Sequence, residues 1–512
     1  MSSLTGLTGR LLGQLVDQWG SLSPVSVEIL SAQSGVPLPA PWERLSLDHV
    51  RGLESALQGS PALAYHVAAG IGIEEDALRE LGDSLEPAVY AQVRQDHERW
   101  TQTHPKSNFQ VPATFRKIAS RQDEHEALGI FRKLSREDLN QVLWMLYQGG
   151  ELHSLLNDFS SFLLWWGNKK TLVTLLTKER LADLTIPVRA ALVLAMQQGI
   201  TSGVMEEGIT NVLTGTRGED LTRLKGVIDR FSPQDLQKLV HVDIGARRRR
   251  NRILRHIGAE AANVRPDIPL VGSDIDDTLY RNYIDARYPD DTVYPGVVAF
   301  YRALGKYTMN DWERRGPTFI SARPRERIGI VEDVTVESIR SRTGFRYPTV
   351  LLAGVLTLIG SGMARSKFEN FVSYHNLFPE FSKILFGDNG QQDPEFCRDV
   401  VTAYAEAVAA AFIHNVTGEE VERLMGYTFE VIEPPAGARR IFYFDTYIGA
   451  ALAAFEMDRP LISLADLQEV VREAQNDVDW IEFESPSQEG VARSLLDRDR
   501  QIVERKYGKV DI

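Results

Sequence analysis

The stretch from Pro269 to Tyr280, PLVGSDIDDTLY, ends an apolar run in a cluster of carboxylates, Asp274, Asp276 and Asp277. Burying three such charges is costly unless something neutralises them. Side chains alternate along an extended strand, so Asp274 and Asp276, two positions apart, can point to one side and share a site, and their mutual repulsion calls for a cation. A hard divalent ion prefers oxygen ligands, and Mg²⁺, which keeps waters that a phosphate can displace, is the natural candidate. Taken alone, an Asp-x-Asp after a strand is more simply a solvated turn. Here it does not stand alone.

Three further pieces follow in order. PTFISARP places Ser321 at the end of a second apolar strand, SKFENF places Lys367 on a helical stretch, and SKILFGDNGQQDPE places Asp388 and Asp393 after a third strand. Cleaving a phosphate monoester needs a nucleophile, a proton donor for the leaving oxygen and positive charge around the phosphoryl oxygens. In this set Asp274 would attack in line and form an aspartyl-phosphate. Asp276 would protonate the leaving group and then deprotonate the water that releases phosphate. Ser321 would donate to a phosphoryl oxygen, Lys367 would supply a point charge, and Asp388 would complete a metal shell with the Asp274 carboxylate. Thr278 is short enough to hydrogen-bond locally and orient the turn. Asp393 would hold Lys367 or a metal-bound water. Arg323 and Arg325 read either as a grip on a second anionic group of the substrate or as a solvated loop with surface ion pairs. Lys383 is a weaker substitute for Lys367.

These pieces resemble the four motifs of the haloacid dehalogenase superfamily of phosphohydrolases: DxDxT over Asp274 to Thr278, a strand-ending Ser, a helical Lys, and GDxxxxD over Gly387 to Asp393. Within it, the DIDDT form, the SAR after the second strand, Lys367 lying 21 positions before Asp388, FPEF before the last strand and GDNGQQDPE are similar to the lipin and actin-patch branch of Mg²⁺-dependent phosphatidate phosphatases. The resemblance covers residues 266 to 465. It implies that the main-chain carbonyl of Asp276 joins Asp274 and Asp388 around the metal, and that the substrate is phosphatidate or a related lipid phosphate.

The spacing bears on access to the site. Between Asp274 and Ser321 lie 46 residues, and between Ser321 and Lys367 lie 45. Neither interval holds a large cap domain as well as the crossover helices that a parallel sheet requires. An open site suits a phosphate carried on something large. The loop YRNYIDARYPDDTVYPG reads as a flap, with Tyr280, Tyr283 and Tyr288 available to cover the phosphate. Pro348 to Ala364 carries no charge, but it is shorter than the roughly 20 residues a membrane-crossing helix needs, and it reads as a buried strand turning into the Lys367 helix.

Composition bounds the remainder. At 512 residues the chain has room for two to four domains, and 43% hydrophobic with 25% charged residues is ordinary for a protein with an adequate core. A net charge of −13 disfavours a general nucleic-acid binder, and none is expected as a partner. A single cysteine, Cys397, excludes an internal disulfide. The amino-terminal segment lacks the pattern of a secretory signal, so a cytoplasmic protein, peripheral at membranes, is the expectation. Arg247, Arg248, Arg249 and Arg250, with Arg252, Arg255 and His256, form a dense basic run, read either as a contact to an anionic membrane or as a solvated inter-domain helix.

The reading is therefore an α/β protein. It comprises a helical region over 1–110, a helical domain over 111–256, a three-layer phosphatase domain with a Rossmann-like parallel sheet and no large cap over 257–480, and an exposed charged helix over 481–512. Strands are expected at Leu270 to Ser273, Thr318 to Ile320, Ile384 to Phe386, Ala411 to His414 and Ile441 to Phe444. SREDLNQVLWMLYQGG has a Ser135 cap, Glu137 as its acidic partner and an end at Gly149. Trp165 and Trp166 read as core. MEEGITNVLTGTRGEDLTRLKGVIDRF faintly resembles one annexin repeat, without that family's calcium loop. The leading function is Mg²⁺-dependent phosphomonoester hydrolysis of a lipid phosphate. A phosphoprotein or soluble metabolite is the alternative substrate, and an interaction or membrane-docking role of the first half is the alternative of another class.

Overall fold

The computed structural model describes residues 52–53, 55–57 and most of 121–510, the exceptions in that range being 160–167, 199–201, 230–234, 267, 307–315, 325–329, 346–347, 354–362, 419–424 and 436. Trp165, Trp166, Arg325 and nearly all of the 1–110 region lie outside the described residues. By their contacts the residues form two compact units, Met1–Gly215 and Thr216–Ile512.

The first unit is helical where described: α1 (Arg121–Lys133), α2 (Arg136–Gln148), α3 (Glu151–Asp158), α4 (Asn168–Thr174), α5 (Ile186–Gln197) and α6 (Gly203–Gly215). Ser135 caps α2 as its sequence implies, but the residue that answers it is Asp138 and not Glu137. The Ser135 hydroxyl accepts the Asp138 N–H at 3.0 Å and donates to its carboxylate at 2.7 Å. Asp138 occupies the third helical position, where a side chain can reach back to the cap. The apolar run IPVRAALVLAMQ is buried on nearly every side, which makes α5 the central helix of the unit. Asn140 stitches α2 to it, donating to the Asp183 carbonyl and accepting the Thr185 N–H, both at 2.8 Å.

The second unit begins with α7 (Gly218–Asp229) and α8 (Arg247–Ala261), which the sequence pattern groups with the preceding helices. Both pack with the elements that follow, α8 against the helix Met363–Leu377. Lys225, fully buried, donates to Glu380 and to the Leu377 carbonyl, and Asp229 accepts from the Tyr374 hydroxyl at 2.6 Å and from Thr349. A buried Lys is stable only when paired in this way. On α8, Arg247, Arg248 and Arg255 are exposed, whereas Arg250 is half-buried with its Nε enclosed. Burial and the adjacent Arg250 charge hold the His241 imidazole below its ordinary pKa.

Then come β1 (Leu270–Ser273), α9 (Val297–Gly305), β2 (Thr318–Pro324), α10 (Ile330–Thr343), β3 (Thr349–Ala353), α11 (Met363–Leu377), β4 (Lys383–Asp388), α12 (Asp393–Ala403), β5 (Val408–His414), β6 (Tyr427–Ile432), β7 (Arg439–Phe444), α13 (Tyr447–Phe455), α14 (Leu464–Asp479) and α15 (Pro486–Tyr507). The seven strands form one sheet in the order β3-β2-β1-β4-β5-β7-β6. All neighbours are parallel except β6, which runs antiparallel on β7. The five expected strands are present, and the uncharged stretch after Pro348 supplies β3. β6 went unanticipated: its burial alternates along an exposed edge, so its sequence YTFEVI lacks the solid apolar run of the buried strands.

Phe300, Tyr301, Phe386, Phe412, Phe442 and Tyr447 form an aromatic layer between the sheet and α9 and α13. α11 and α12 pack on each other through Phe371 and Phe396. The chain leaves β1 toward β2 and β3 and returns on its other side with β4, so the strand order reverses between β1 and β4. That is where such sheets open a crevice at their carboxyl ends.

The charged carboxyl-terminal segment is not an exposed helix. Ala492, Leu496, Asp499, Ile502 and Val503 of α15 are buried, and the Asp499 carboxylate accepts from Thr446 at 2.7 Å. Spacings of three and four residues put these on one stripe, which the many charges between them mask in composition. Replacing Leu496 with Ala should therefore destabilise the catalytic unit by about 2–5 kcal/mol, the usual cost of emptying a buried leucine site. A thermal or urea melt of the whole protein checks this, and an unchanged midpoint would mean that the helix is peripheral.

Candidate active site

β1 is buried on both faces, and Asp274 is the first residue beyond it, its N–H donating to the Phe386 carbonyl at 2.9 Å. β4 carries Asp388 to the same edge, paired with His414 at the end of β5. Gly387 has to be glycine, because a Cβ there would overlap the Asp393 side chain folded back beneath it. In that position Asp393 accepts the Asp388 N–H at 3.3 Å. The start of α11 is tied to the same loop by Gln392, whose side-chain oxygen accepts the Ala364 N–H at 3.0 Å. One turn later, Lys367 points into the crevice.

Lys367 lies between two carboxylates, with Nζ 3.0 Å from Asp274 and 2.5 Å from Asp393. Asp274, Asp388 and Asp393 bring carboxylate oxygens within 4.8 Å of one another, all three residues buried. Burial and then the neighbouring carboxylates push Asp274 and Asp388 well above the usual carboxylate range, Lys367 opposing the rise in both. Burial works against the Lys367 charge, yet Asp274 and Asp393 hold its pKa above the ordinary value. Three carboxylates thus face one ammonium. Asp388 accepts the Gly390 N–H on Oδ1 at 2.8 Å, while among the described residues its buried Oδ2 has no hydrogen-bond partner. This donor set, with hard oxygens, excess negative charge and an unpaired buried oxygen, suits a divalent cation.

Asp276 follows two positions after Asp274 and is buried beside it. It lies close enough to raise the Asp274 pKa, but its Oδ1 accepts from the Asn282 amide at 2.7 Å, and the third member of the carboxylate cluster is Asp393. Ser321 is buried on β2, beside β1. Thr278 is held through its main chain, the Tyr447 hydroxyl donating to its carbonyl at 2.6 Å, and among the described residues its own buried hydroxyl has no partner. Arg323 sits on β2 with a side chain outside the described residues. Lys383 begins β4 at the far end of the strand and donates to the Phe378 and Phe381 carbonyls, so it is no substitute for Lys367.

The flap departs from expectation in its aromatics. Tyr280 and Tyr288 are buried, Tyr288 edge-on to Tyr294, and of the three tyrosines only Tyr283 reaches solvent, at 64% exposure. An aromatic-rich polar loop looks solvent-facing in sequence, but tyrosine buries readily when its ring finds a core. What sequence reasoning missed is the part Asp277 plays within the cluster. It is fully buried, with φ at 55°, a left-handed turn that Asp tolerates better than most side chains. Its carboxylate accepts the backbone N–H groups of Asn282, Tyr283 and Ile284 at 3.0–3.2 Å. Its carbonyl accepts from His414 Nδ1 at 3.0 Å, and His414 Nε2 in turn accepts from Arg287, itself forked onto Asp285. Burial and the Arg287 charge keep the His414 imidazole neutral, its pKa lowered to about 4, as that pattern of one donating and one accepting nitrogen requires.

Residues 270–415 match the family described as phosphatidate phosphatase APP1, catalytic domain. No curated protein and no solved structure matches the chain. The matched segment runs from β1 to just past β5 and contains Asp274, Asp276, Asp277, Asp388 and Asp393. The chain is accordingly an enzyme of phosphatidate phosphatase type, a phosphoric monoester hydrolase. Among the described residues no helix is long and apolar enough to cross a membrane.

Proposed function

We propose that the protein is a Mg²⁺-dependent phosphatidate phosphatase of haloacid dehalogenase type that works through an aspartyl-phosphate. The observation that carries this reading is the placement of Asp274 at the β1 end, 3.0 Å from Lys367 and clustered with Asp388. Asp274, Asp388 and the Asp276 carbonyl would hold Mg²⁺, which when bound offsets the charge of the phosphoryl oxygens.

The side chains divide the remaining work. Lys367 fixes the Asp274 carboxylate and lends positive charge to the phosphoryl group, while Asp393 keeps that ammonium in place. An Asp274 oxygen forms a bond to phosphorus as the bond from phosphorus to the substrate oxygen breaks, and Asp276 gives that oxygen its proton. Water then attacks the phosphorus, loses a proton to Asp276, and the bond to Asp274 breaks to free phosphate. Ser321 donates to a phosphoryl oxygen, Thr278 orients the turn through its main chain, and Arg323 is the proposed grip on a second anionic group.

Among the described residues the segments between Asp274, Ser321 and Lys367 are crossover helices and strands and no cap, which supports a large substrate such as a lipid at a surface. Turnover of phosphatidate against a panel of phosphoproteins and soluble phosphates tests the substrate class, and a preference for either alternative would displace the lipid reading. For peripheral membrane contact the proposed surface is α8 through Arg247, Arg248 and Arg255. Replacing these three with Ala should weaken sedimentation with phosphatidate vesicles about tenfold or more, given about 1 kcal/mol per basic residue near an anionic surface. Hydrolysis of a soluble phosphate should be unaffected. Unaltered sedimentation would remove α8 from the contact.

A further inference from the structure

We propose that Asp277 and Asn282 are positioning residues that form a latch for the Asp276 carboxylate, holding it for proton transfer to the leaving group. The inference rests on the acid role read for Asp276 above. Asp277 directly follows Asp276, and its left-handed turn reverses the chain so that its carboxylate meets the backbone five to seven residues on. Both oxygens are used: Oδ1 by the N–H groups of Asn282 and Tyr283, and Oδ2 by those of Tyr283 and Ile284. Three converging N–H donors on a buried carboxylate make a stiff, charge-assisted clamp. From the other side His414 holds the Asp277 carbonyl, and Ile284 closes over Gly390, where a Cβ would overlap it.

The clamp fixes the start of the flap, and Asn282 is the part of it that faces the chemistry. Its amide donates to Asp276 Oδ1 at 2.7 Å. A hydrogen bond to one carboxylate oxygen favours a single rotamer and so fixes where the carboxyl group can deliver its proton. Asp277 therefore acts on Asp276 twice removed, by placing Asn282.

A donor of protons matters in proportion to how badly the leaving group needs one. An alkoxide, as from a glycerol phosphate ester, leaves poorly without protonation, whereas p-nitrophenolate leaves unaided. The test compares kcat on a soluble short-chain phosphatidate with kcat on p-nitrophenyl phosphate for the full-length protein. For Asn282→Ala the alkyl substrate should lose about tenfold more than the aryl one, with KM changing little, since general acid catalysis is worth about 10²–10⁴ and only its positioning is removed. Asp277→Asn, which keeps the turn but weakens the clamp, should show the same bias. Asp276→Asn is the reference and should show the bias most strongly. Equal losses on both substrates for Asn282→Ala, or no loss, would overturn the latch. If Asp276→Asn keeps its bias in that case, the acid assignment survives alone; if it too lacks the bias, both fall. A variant that loses structure is recognised by equal losses together with a lowered melting temperature, and Asp277→Asn then decides.

Discussion

Asp274→Asn is expected to lower hydrolysis of any good substrate by about three orders of magnitude or more while the fold persists, because it keeps the side chain's shape and removes the attacking charge. The geometry favours survival of the fold. Lys367 retains Asp393 at 2.5 Å as its partner, and Asn can still take its place beside β4. Steady-state turnover beside a thermal melt checks both halves. Full turnover in a folded variant would remove Asp274 as the nucleophile and leave the crevice without one.

The second large effect concerns the charge imbalance. If Asp274 and Asp388 hold Mg²⁺, chelation by EDTA should abolish turnover and Mg²⁺ should restore it, while Ca²⁺, larger and looser in geometry, should not substitute. A readout apart from activity follows from mass action: Mg²⁺ at a hundred times its dissociation constant should stabilise the fold by about 2.7 kcal/mol. Asp388→Asn should have two opposite consequences. Turnover and the Mg²⁺-induced rise in melting temperature should both disappear, yet the metal-free protein should melt no lower than the wild type, since one of three crowded carboxylates has lost its charge. A wild type that is fully active in chelator, or a melting temperature indifferent to Mg²⁺, would sink the metal assignment.

The readable parts of this molecule are those where one short segment sets the outcome. β1, β2, β4, β5 and β7 each contain a short apolar run, and each ends at a residue the sequence already marks or at a turn. Asp388 and Lys367 could be placed because the elements carrying them are unambiguous. The carboxylate cluster was half legible: a DxD next to a GDxxxxD announces crowded acids, but that Asp393 and not the Asp276 side chain completes the group depends on Gly387 leaving room for it. The role of Asp277 was beyond reach, since a carboxylate that closes on backbone N–H groups several residues later leaves no compositional trace. The same holds for Lys225, whose buried partner Glu380 is more than 150 positions away.

The position of β6, β7 and α13 to α15 has a consequence for anyone who wishes to excise the catalytic region. The family match stops at residue 415, one position after β5, and in the intact protein β5 is hydrogen-bonded to β7 along Ala411 to His414. A fragment cut at the match would leave β5 as a raw edge, with unpaired N–H and C=O groups and bare phenylalanines inviting other chains to pair. It would also lose the Lys225–Glu380 pair if begun at residue 270, stranding a buried glutamate. The smallest piece fit for expression on its own should run from about Thr216 to the last turn of α15, and affinity tags belong beyond Tyr507, where they do not disturb that helix.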